Sequence, residues 1–156
     1  MFFRGLFEHS IDGKGRTSVP ARFRDVLVQS YGGEKLVVTF GSSDVAEEKF
    51  LGVYPLKNWE EIEAGLARRN QSDPGLKEIY RRYVANAFEV EVDKLGRVLL
   101  PPNLRAYAGL EKDVVWLGQV KRMHLWSKAA WELAQHEAAS PDRLKDMARV
   151  FGEVGG

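Results

Sequence analysis

Arginine side chains in a repeated pattern are the residues of this sequence best suited to chemistry with a partner. An aspartate is followed four positions later by an arginine twice, at Asp12 and Arg16 and at Asp93 and Arg97, with a glycine directly before each arginine. A guanidinium group carries a fixed positive charge and a planar fork of N–H donors, which suits phosphates and guanine edges. The pattern therefore favours contact with double-stranded DNA over catalysis.

The two motifs belong to an internal duplication. When the sequence is shifted by 81 positions, residues 7–24 align with residues 88–105, as FEHSIDGKGRTSVPARFR and FEVEVDKLGRVLLPPNLR, and seven of 18 positions are identical. Unrelated segments would share about one position, so a search for self-similarity identifies a true repeat. We expect both copies to fold in the same way.

Each copy has the pattern of two short strands joined by a tight turn. Phe88, Val90 and Val92 alternate with glutamates, a period of two that is typical of a half-buried strand. The second strand ends at Pro20 or Pro101, because proline cannot donate to a ladder and is well tolerated where a helix begins. The pattern predicts a hairpin in each copy, or strands exchanged between the twins. Further predicted elements are a helix over 21–30, strands near 35–40, 50–54, 113–120 and 123–126, a helix closing each copy, a connecting helix from Asp73-Pro74 and a last helix from Ser140-Pro141.

The number of strands in one copy determines the predicted architecture. About four short strands are too few to close a barrel or to bury both faces of a sheet, but two copies related by a pseudo-twofold axis can share one core. The predicted class is therefore α+β, mainly β with flanking helices, with two halves fused into one double-split β-barrel. We expect a first half over 1–60, connecting helices over 61–84, a second half over 85–132 and a helical tail over 133–156.

Two interpretations of the repeated motif remain open at the level of sequence. In the structural interpretation, Asp12 and Asp93 cap the turns and pair with the motif arginines, while Gly15 and Gly96 adopt positive φ angles. In the functional interpretation, the arginines face a partner, and the two turns of the pseudo-symmetric pair lie near each other on one face.

The distribution of charge supports the functional interpretation. Cations exceed anions by three over residues 1–24, where Arg4, Lys14, Arg16, Arg22 and Arg24 oppose Glu8 and Asp12, although the whole chain carries only +1. A second, smaller cluster contains Lys94, Arg97 and Arg105. A nearly neutral protein that binds nucleic acid must cluster its cations in this way.

The composition narrows the other classes of function. The sequence has no cysteine, which excludes a disulfide scaffold, cysteine-ligated zinc and thiol catalysis. The three histidines, His9, His124 and His136, lack a metal-ligand spacing, and the glycines form no phosphate-cradling loop. Apolar runs stay well short of the ~18 residues of a membrane span. We expect a cytoplasmic protein that is not an enzyme and needs no cofactor, metal, membrane or small-molecule substrate.

A known family shares these motifs. The segment DKLGRVLLPPNLRAYAGL resembles the signature of AbrB-type transition-state regulators, whose units are swapped-hairpin barrels that bind DNA. Two such units in one chain, with DGKGRTSVPARFR near the start, closely resemble the MraZ family over roughly residues 1–132. The resemblance implies two tandem AbrB-like halves, a ring-shaped homo-oligomer, association with the nucleoid, and regulation of transcription through direct repeats in the promoter of its own division and cell-wall operon.

The resemblance also assigns roles to individual residues. The family's DNA-binding arginines fall on Arg16 and Arg97, and the arginines that follow the prolines fall on Arg24 and Arg105. Because Leu95 occupies the position of Lys14 in the second copy, we expect the first half to contribute more to DNA binding. A protein-binding module of the antitoxin type is the alternative function. The complete set of predicted DNA-binding residues is Arg16, Lys14, Arg24, Arg22, Arg4, Arg97 and Arg105.

Overall fold

A computed structural model describes residues 1–138 and 140–156 of the chain. Its strands are β1 (Leu6–Ser10), β2 (Arg16–Ser18), β3 (Lys35–Phe40), β4 (Leu51–Pro55), β5 (Phe88–Glu91), β6 (Arg97–Leu99), β7 (Asp113–Gly118) and β8 (Met123–Ser127). Its helices are α1 (Ala21–Tyr31), α2 (Leu56–Ala67), α3 (Pro74–Ile79), α4 (Pro102–Ala108), α5 (Lys128–Ala138) and α6 (Pro141–Glu153), with a π-helical turn at Tyr80–Val84. The α+β class is confirmed.

The ends of the helices follow from the residues found there. Pro20 and Pro101 end the second strand of each repeat and occupy the N-cap positions of α1 and α4. Both helices end at a glycine in the left-handed conformation, Gly32 and Gly109, which L residues with side chains adopt only with strain. The connecting helix begins as expected at Asp73, whose carboxylate accepts a hydrogen bond from Gly75 N at 2.9 Å.

The two repeats exchange their first strands. Six strands form one antiparallel sheet in the order β1-β7-β8-β4-β3-β5, so β1 pairs with a strand of the second repeat and β5 with a strand of the first. The registers are equivalent, since Phe7 lies opposite Trp116 and its repeat mate Phe88 lies opposite Val38. The exchange that the sequence left open is therefore the one adopted.

The second strands of the two repeats also pair with each other. β2 and β6 form a separate antiparallel ribbon, which contacts β1 through a bridge between Ile11 and Thr17. Among the described residues, the strands form two sheets, one of six strands and one of two, with β1 and β5 at the edges of the larger sheet. The pseudo-twofold relation between the halves is thus built into both sheets.

Both repeats contribute to a single hydrophobic core. Phe3 packs edge-to-face on Phe23, and Phe7 packs on the same ring, with centroid distances of 5.6 and 5.2 Å. The same cluster continues through second-repeat residues that are at most 1% exposed, including Leu100, Leu104, Trp116, Met123 and Leu125. Because neither half encloses this core alone, each half depends on the other for burial of its apolar side chains.

A smaller apolar cluster lies between the sheet and α5. Phe50 stacks on Trp126 at 4.3 Å, and Trp131 of α5 packs edge-on against Trp126 at 5.5 Å. His124 lies beside the same Phe50 ring at 4.6 Å. Burial, assisted by the nearby charge of Arg122, lowers the pKa of His124 to about 4. The folded protein therefore keeps this imidazole neutral at pH values where an exposed histidine would be protonated.

The depressed pKa of His124 makes the stability of the fold dependent on pH. The unfolded chain protonates this histidine near pH 6.5, whereas the folded chain does so only near pH 4. The unfolding free energy is therefore not reduced by this histidine above about pH 6.5, and it falls as the pH falls from 6.5 towards 4, because the unfolded chain binds a proton there and the folded chain does not. We expect His124→Phe to remove about 2–3 kcal/mol of the acid-induced loss in unfolding free energy between pH 7.5 and 4.5.

Urea titrations of the wild type and the variant at both pH values measure this difference. His136→Phe, at an exposed position of α5, is the matched control and should leave the pH dependence unchanged. An identical pH dependence in the His124→Phe variant would contradict the assignment.

The exchange of strands predicts how fragments of the chain behave. A fragment of residues 1–84 lacks β5, β6 and β7, so it should not fold as a monomer and should expose its half of the core. Mixing it with a fragment of residues 85–156 should restore near-native circular dichroism and give a one-to-one complex in sedimentation. A folded, monomeric 1–84 fragment would show instead that the first half closes on itself.

Candidate nucleic-acid interface

The ribbon formed by β2 and β6 presents the motif arginines. In its register, Arg16 lies opposite Leu99, Thr17 opposite Val98, and Ser18 opposite Arg97. Thr17 and Val98 are each 1% exposed and face the core. Because successive side chains of a strand point to opposite faces, the other four residues share the outward face. This surface, Arg16, Ser18, Arg97 and Leu99, is called the ribbon face below.

The ribbon is symmetric about its central pair. Exchanging the two strands leaves the ladder unchanged, and bonds from Val19 N to Gly96 O and from Leu100 N to Gly15 O, both 2.9 Å, extend it to the turn glycines. The two turns therefore lie at opposite ends of the ribbon, about 14 Å apart, since four residue steps of about 3.4 Å separate them. The expectation that the two turns lie near each other is therefore wrong, because the turns are at opposite ends of the ribbon and the motif arginines lie between them.

Each motif aspartate organises its own turn. Asp12 Oδ1 accepts hydrogen bonds from the backbone N–H groups of Lys14 and Arg16, both at 2.9 Å. The bond from the Arg16 backbone is the main cause that lowers the pKa of Asp12 to about 2. Gly15 has a φ of +92°, as the turn requires. The second copy repeats these features at Asp93, Leu95, Gly96 and Arg97, and its backbone hydrogen bonds likewise lower the pKa of Asp93.

The motif arginines are positioned by these turns but are not enclosed by them. Arg16 Nε donates to Asp12 Oδ2 at 2.8 Å, and Arg97 Nε donates to Asp93 Oδ2 at 3.2 Å. Their side chains remain 35% and 30% exposed. Within residues 1–138 and 140–156, no hydrogen bond occupies the terminal Nη atoms of either guanidinium group. The structural and functional interpretations are therefore compatible: the aspartate orients a fork whose outer donors stay available.

The arginines after the prolines brace the turns across the repeat boundary. Arg105 packs over Gly15, where an added Cβ would lie 2.6 Å from Arg105 Nε, and Arg24 packs over Gly96, where it would lie 2.8 Å from Arg24 Cζ. Arg24 Nε also donates to Val19 O at 3.2 Å. Each half-buried arginine thus packs against the turn of the other copy, and the positive φ of each turn residue is what requires glycine there.

The remaining candidate residues separate into two groups. Lys14 is exposed in the first turn, and Arg22 is exposed in the first helical turn of α1, which begins next to the second turn. Arg4 precedes β1 at the end remote from the turns, at least about 13 Å along the strand from Ser10. The structure therefore brings Lys14, Arg16, Arg22 and Arg97 around the ribbon and leaves Arg4 away from it.

Two residues of this surface were not identified from the sequence, Ser18 and Leu99, which complete the ribbon face. Leu95, expected at the position of Lys14, is 71% exposed in the second turn. Once β2 and β6 are known to pair, the two-residue period of a strand assigns Ser18 and Leu99 to the outward face beside the motif arginines.

Other kinds of site find no support in the described part of the chain. No group of three or more His, Asp or Glu residues there could hold a metal ion. None of its helices is long and apolar enough to cross a membrane.

Comparison with known proteins places this geometry in a family. The sequence profile of the family described as "MraZ protein, putative antitoxin-like" matches residues 2–81 and again 83–154, one match for each repeat. A solution structure from Pyrococcus horikoshii covers 81% of this chain and 94% of its own at 15% identity, but the TM-score of 0.33 is too low to carry an argument.

Several relatives match most of the chain. The protein named transcriptional regulator MraZ from Acetivibrio thermocellus is 42% identical over 151 residues, which is 96% of this chain and 99% of the relative. Proteins of the same name from Marinomonas sp. and Acidithiobacillus ferrooxidans are each 40% identical, over 93% and 85% of this chain and 93% and 87% of theirs. With both repeats matched and the arginine ribbon in place, the chain belongs to the MraZ family.

Proposed function

We propose that this protein is a transcriptional regulator that binds double-stranded DNA through the ribbon face. The observation that carries the proposal is the pair of motif arginines, Arg16 and Arg97, each oriented by an aspartate and each with its outer N–H donors available. The common name of its relatives, transcriptional regulator MraZ, agrees with this function.

The ribbon has suitable dimensions for a DNA groove. The major groove is about 12 Å wide and admits a two-stranded β-ribbon as readily as an α-helix. A distance of about 14 Å between the turns corresponds to about four base pairs at 3.4 Å per step. One protomer would therefore recognise a short subsite, with Arg16 near one end of the ribbon and Arg97 near the other, each within reach of guanine edges or phosphates.

The charge around the ribbon supports an anionic partner but limits the affinity of one protomer. Five cations, Lys14, Arg16, Arg22, Lys94 and Arg97, oppose the two carboxylates Asp12 and Asp93, an excess of three in a chain whose net charge is +1. Few phosphate contacts give weak, salt-sensitive binding. Assembly of protomers on repeated subsites would convert these weak contacts into avidity.

The wider biological role follows from the family resemblance. We propose that the protein is a homo-oligomer, in the form of a ring, that acts in the cytoplasm at the nucleoid. Its sites would be direct repeats in the promoter of its own division and cell-wall operon.

A protein-binding role of the antitoxin type is the second candidate. It is favoured by an apolar face of α6, on which Leu144, Met147 and Phe151 are 48%, 55% and 67% exposed, and by Val154 directly after the helix, which is 77% exposed. The DNA experiments below distinguish the two functions, because a pure protein-binding module would not select a DNA sequence.

Replacing Arg16 with alanine should weaken DNA binding without unfolding the protein. We expect Arg16→Ala to reduce affinity for a duplex from the protein's own upstream region by about tenfold to a hundredfold. Stability should hardly change, because the backbone N–H groups of Lys14 and Arg16 still bind Asp12. Fluorescence anisotropy across a salt series, with thermal melts in parallel, measures both quantities.

The salt series also identifies what Arg16 contacts. Loss of a phosphate contact should flatten the log-affinity against log-salt slope by about one, whereas loss of a base contact should relax sequence preference. Arg69→Ala is the matched control, since Arg69 also pairs with an aspartate four residues along but lies in the connecting segment. A large fall in melting temperature with unchanged DNA affinity would contradict the proposal and leave only the structural interpretation.

The avidity argument predicts dependence on the number of sites. A duplex carrying two copies of the bound repeat should be bound at least about tenfold more tightly than a duplex of equal length with one copy and scrambled flanking sequence. Gel-shift titrations with both duplexes measure the ratio. Equal affinities would show that one protomer binds independently and that oligomerisation is not needed for recognition.

A further inference from the structure

The two halves of the ribbon share the residues that build its turns but differ at several surface positions. Positions that build the ribbon match between the repeats, including the aspartates, the turn glycines and the motif arginines. Several exposed or half-exposed positions differ in chemistry: Ser18 corresponds to Leu99, Lys14 to Leu95, Gly13 to Lys94, and Arg22 to Asn103. Each turn thus carries one lysine, but at a different position. The backbone is therefore pseudo-symmetric, whereas the surface that it presents is not.

Leu99 is the apolar member of the ribbon face. Its side chain is 57% exposed, while its neighbours Val98 and Leu100 are each 1% exposed. It lies directly opposite Arg16 in the ladder, so their Cβ atoms are about 5 Å apart. At the other end of the ribbon, Arg97 lies opposite Ser18 instead. Each motif arginine thus has a different immediate neighbour on the surface.

These neighbours suit different groups on a base pair. In the major groove, the 5-methyl group of thymine is the feature that an apolar side chain contacts, and a serine hydroxyl can donate or accept a hydrogen bond with several bases. The positive charge of the flanking arginines and lysine argues that the occupant of this face is DNA and not an apolar protein surface.

We propose that Leu99 packs on the 5-methyl group of a thymine beside the group that Arg16 contacts, and that Ser18 forms a hydrogen bond at the equivalent position beside Arg97. The two ends of the ribbon then read different bases, and the subsite of one protomer is not palindromic. This inference rests on the proposed function, because it requires the ribbon face to lie in the major groove.

Replacement of thymine by deoxyuridine tests the contact directly, because it removes only the 5-methyl group. The probe is the duplex from the protein's own upstream region, with deoxyuridine introduced at one thymine at a time. Wild-type affinity should fall about threefold to fivefold at one thymine of each subsite. The Leu99→Ser variant should bind the unmodified duplex about threefold to fivefold more weakly than the wild type does. It should also lose sensitivity to deoxyuridine at that position.

Two further variants sharpen the test. Leu133→Ser is the matched control, since Leu133 is 60% exposed on α5, away from the ribbon, and this variant should behave as the wild type. Ser18→Leu should gain sensitivity to deoxyuridine at the pseudo-symmetric end of the subsite when a thymine is placed there. Circular dichroism of all three variants should match the wild type, because the substituted side chains lie at the surface.

The outcomes separate this inference from the proposed function. If Arg16→Ala abolishes selective binding but no single deoxyuridine affects the wild type more than Leu99→Ser, the thymine contact is wrong and the DNA-binding function stands. If Leu99→Ser changes the sedimentation coefficient and not the deoxyuridine sensitivity, Leu99 contacts another copy of the chain and the inference is overturned. If the wild type selects no duplex sequence, both proposals fail.

Discussion

The antiparallel pairing of β2 with β6 is the interaction on which the rest of this structure depends. It joins the two repeats by backbone hydrogen bonds, and it sets the turns of both copies at opposite ends of one ribbon. Thr17 and Val98 anchor its inner face in the shared core, and the same register places both motif arginines on the outer face. The β2–β6 ladder therefore couples the two halves and presents the motif arginines at the same time.

The bracing of each turn by the opposite repeat adds rigidity to this arrangement. Arg105 covers Gly15 and Arg24 covers Gly96, so neither turn can move without disturbing a side chain that follows the proline of the other copy. Rigid placement matters for a binding surface, because side chains that are already oriented lose less conformational entropy when a partner binds. The arginines that follow the prolines, Arg24 and Arg105, therefore position the turns.

Much of the fold could be predicted from the sequence, because the repeat and its alternating pattern carry strong local signals. The strand-turn-strand units, the strand ends at Pro20 and Pro101, and the start of α3 at Asp73 all follow from short-range chemistry. The direction of the exchange could not be predicted, since a hairpin closed within one repeat and a hairpin shared between two satisfy the same period of two. For the same reason Ser18 and Leu99 were missed: they belong to the surface only through a partner strand about 80 residues away. Charge alone places Arg4 in the N-terminal cationic cluster, but charge does not determine position along a strand.

The exchange of β1 and β5 also has a consequence for how the protein responds to concentration. A chain with only one repeat could complete this core only by pairing with a second molecule, and such a pair would dissociate on dilution. Joining the repeats through α2, α3 and the π-helical turn makes that encounter intramolecular, so the folded unit persists at protein concentrations at which a separate pair would dissociate.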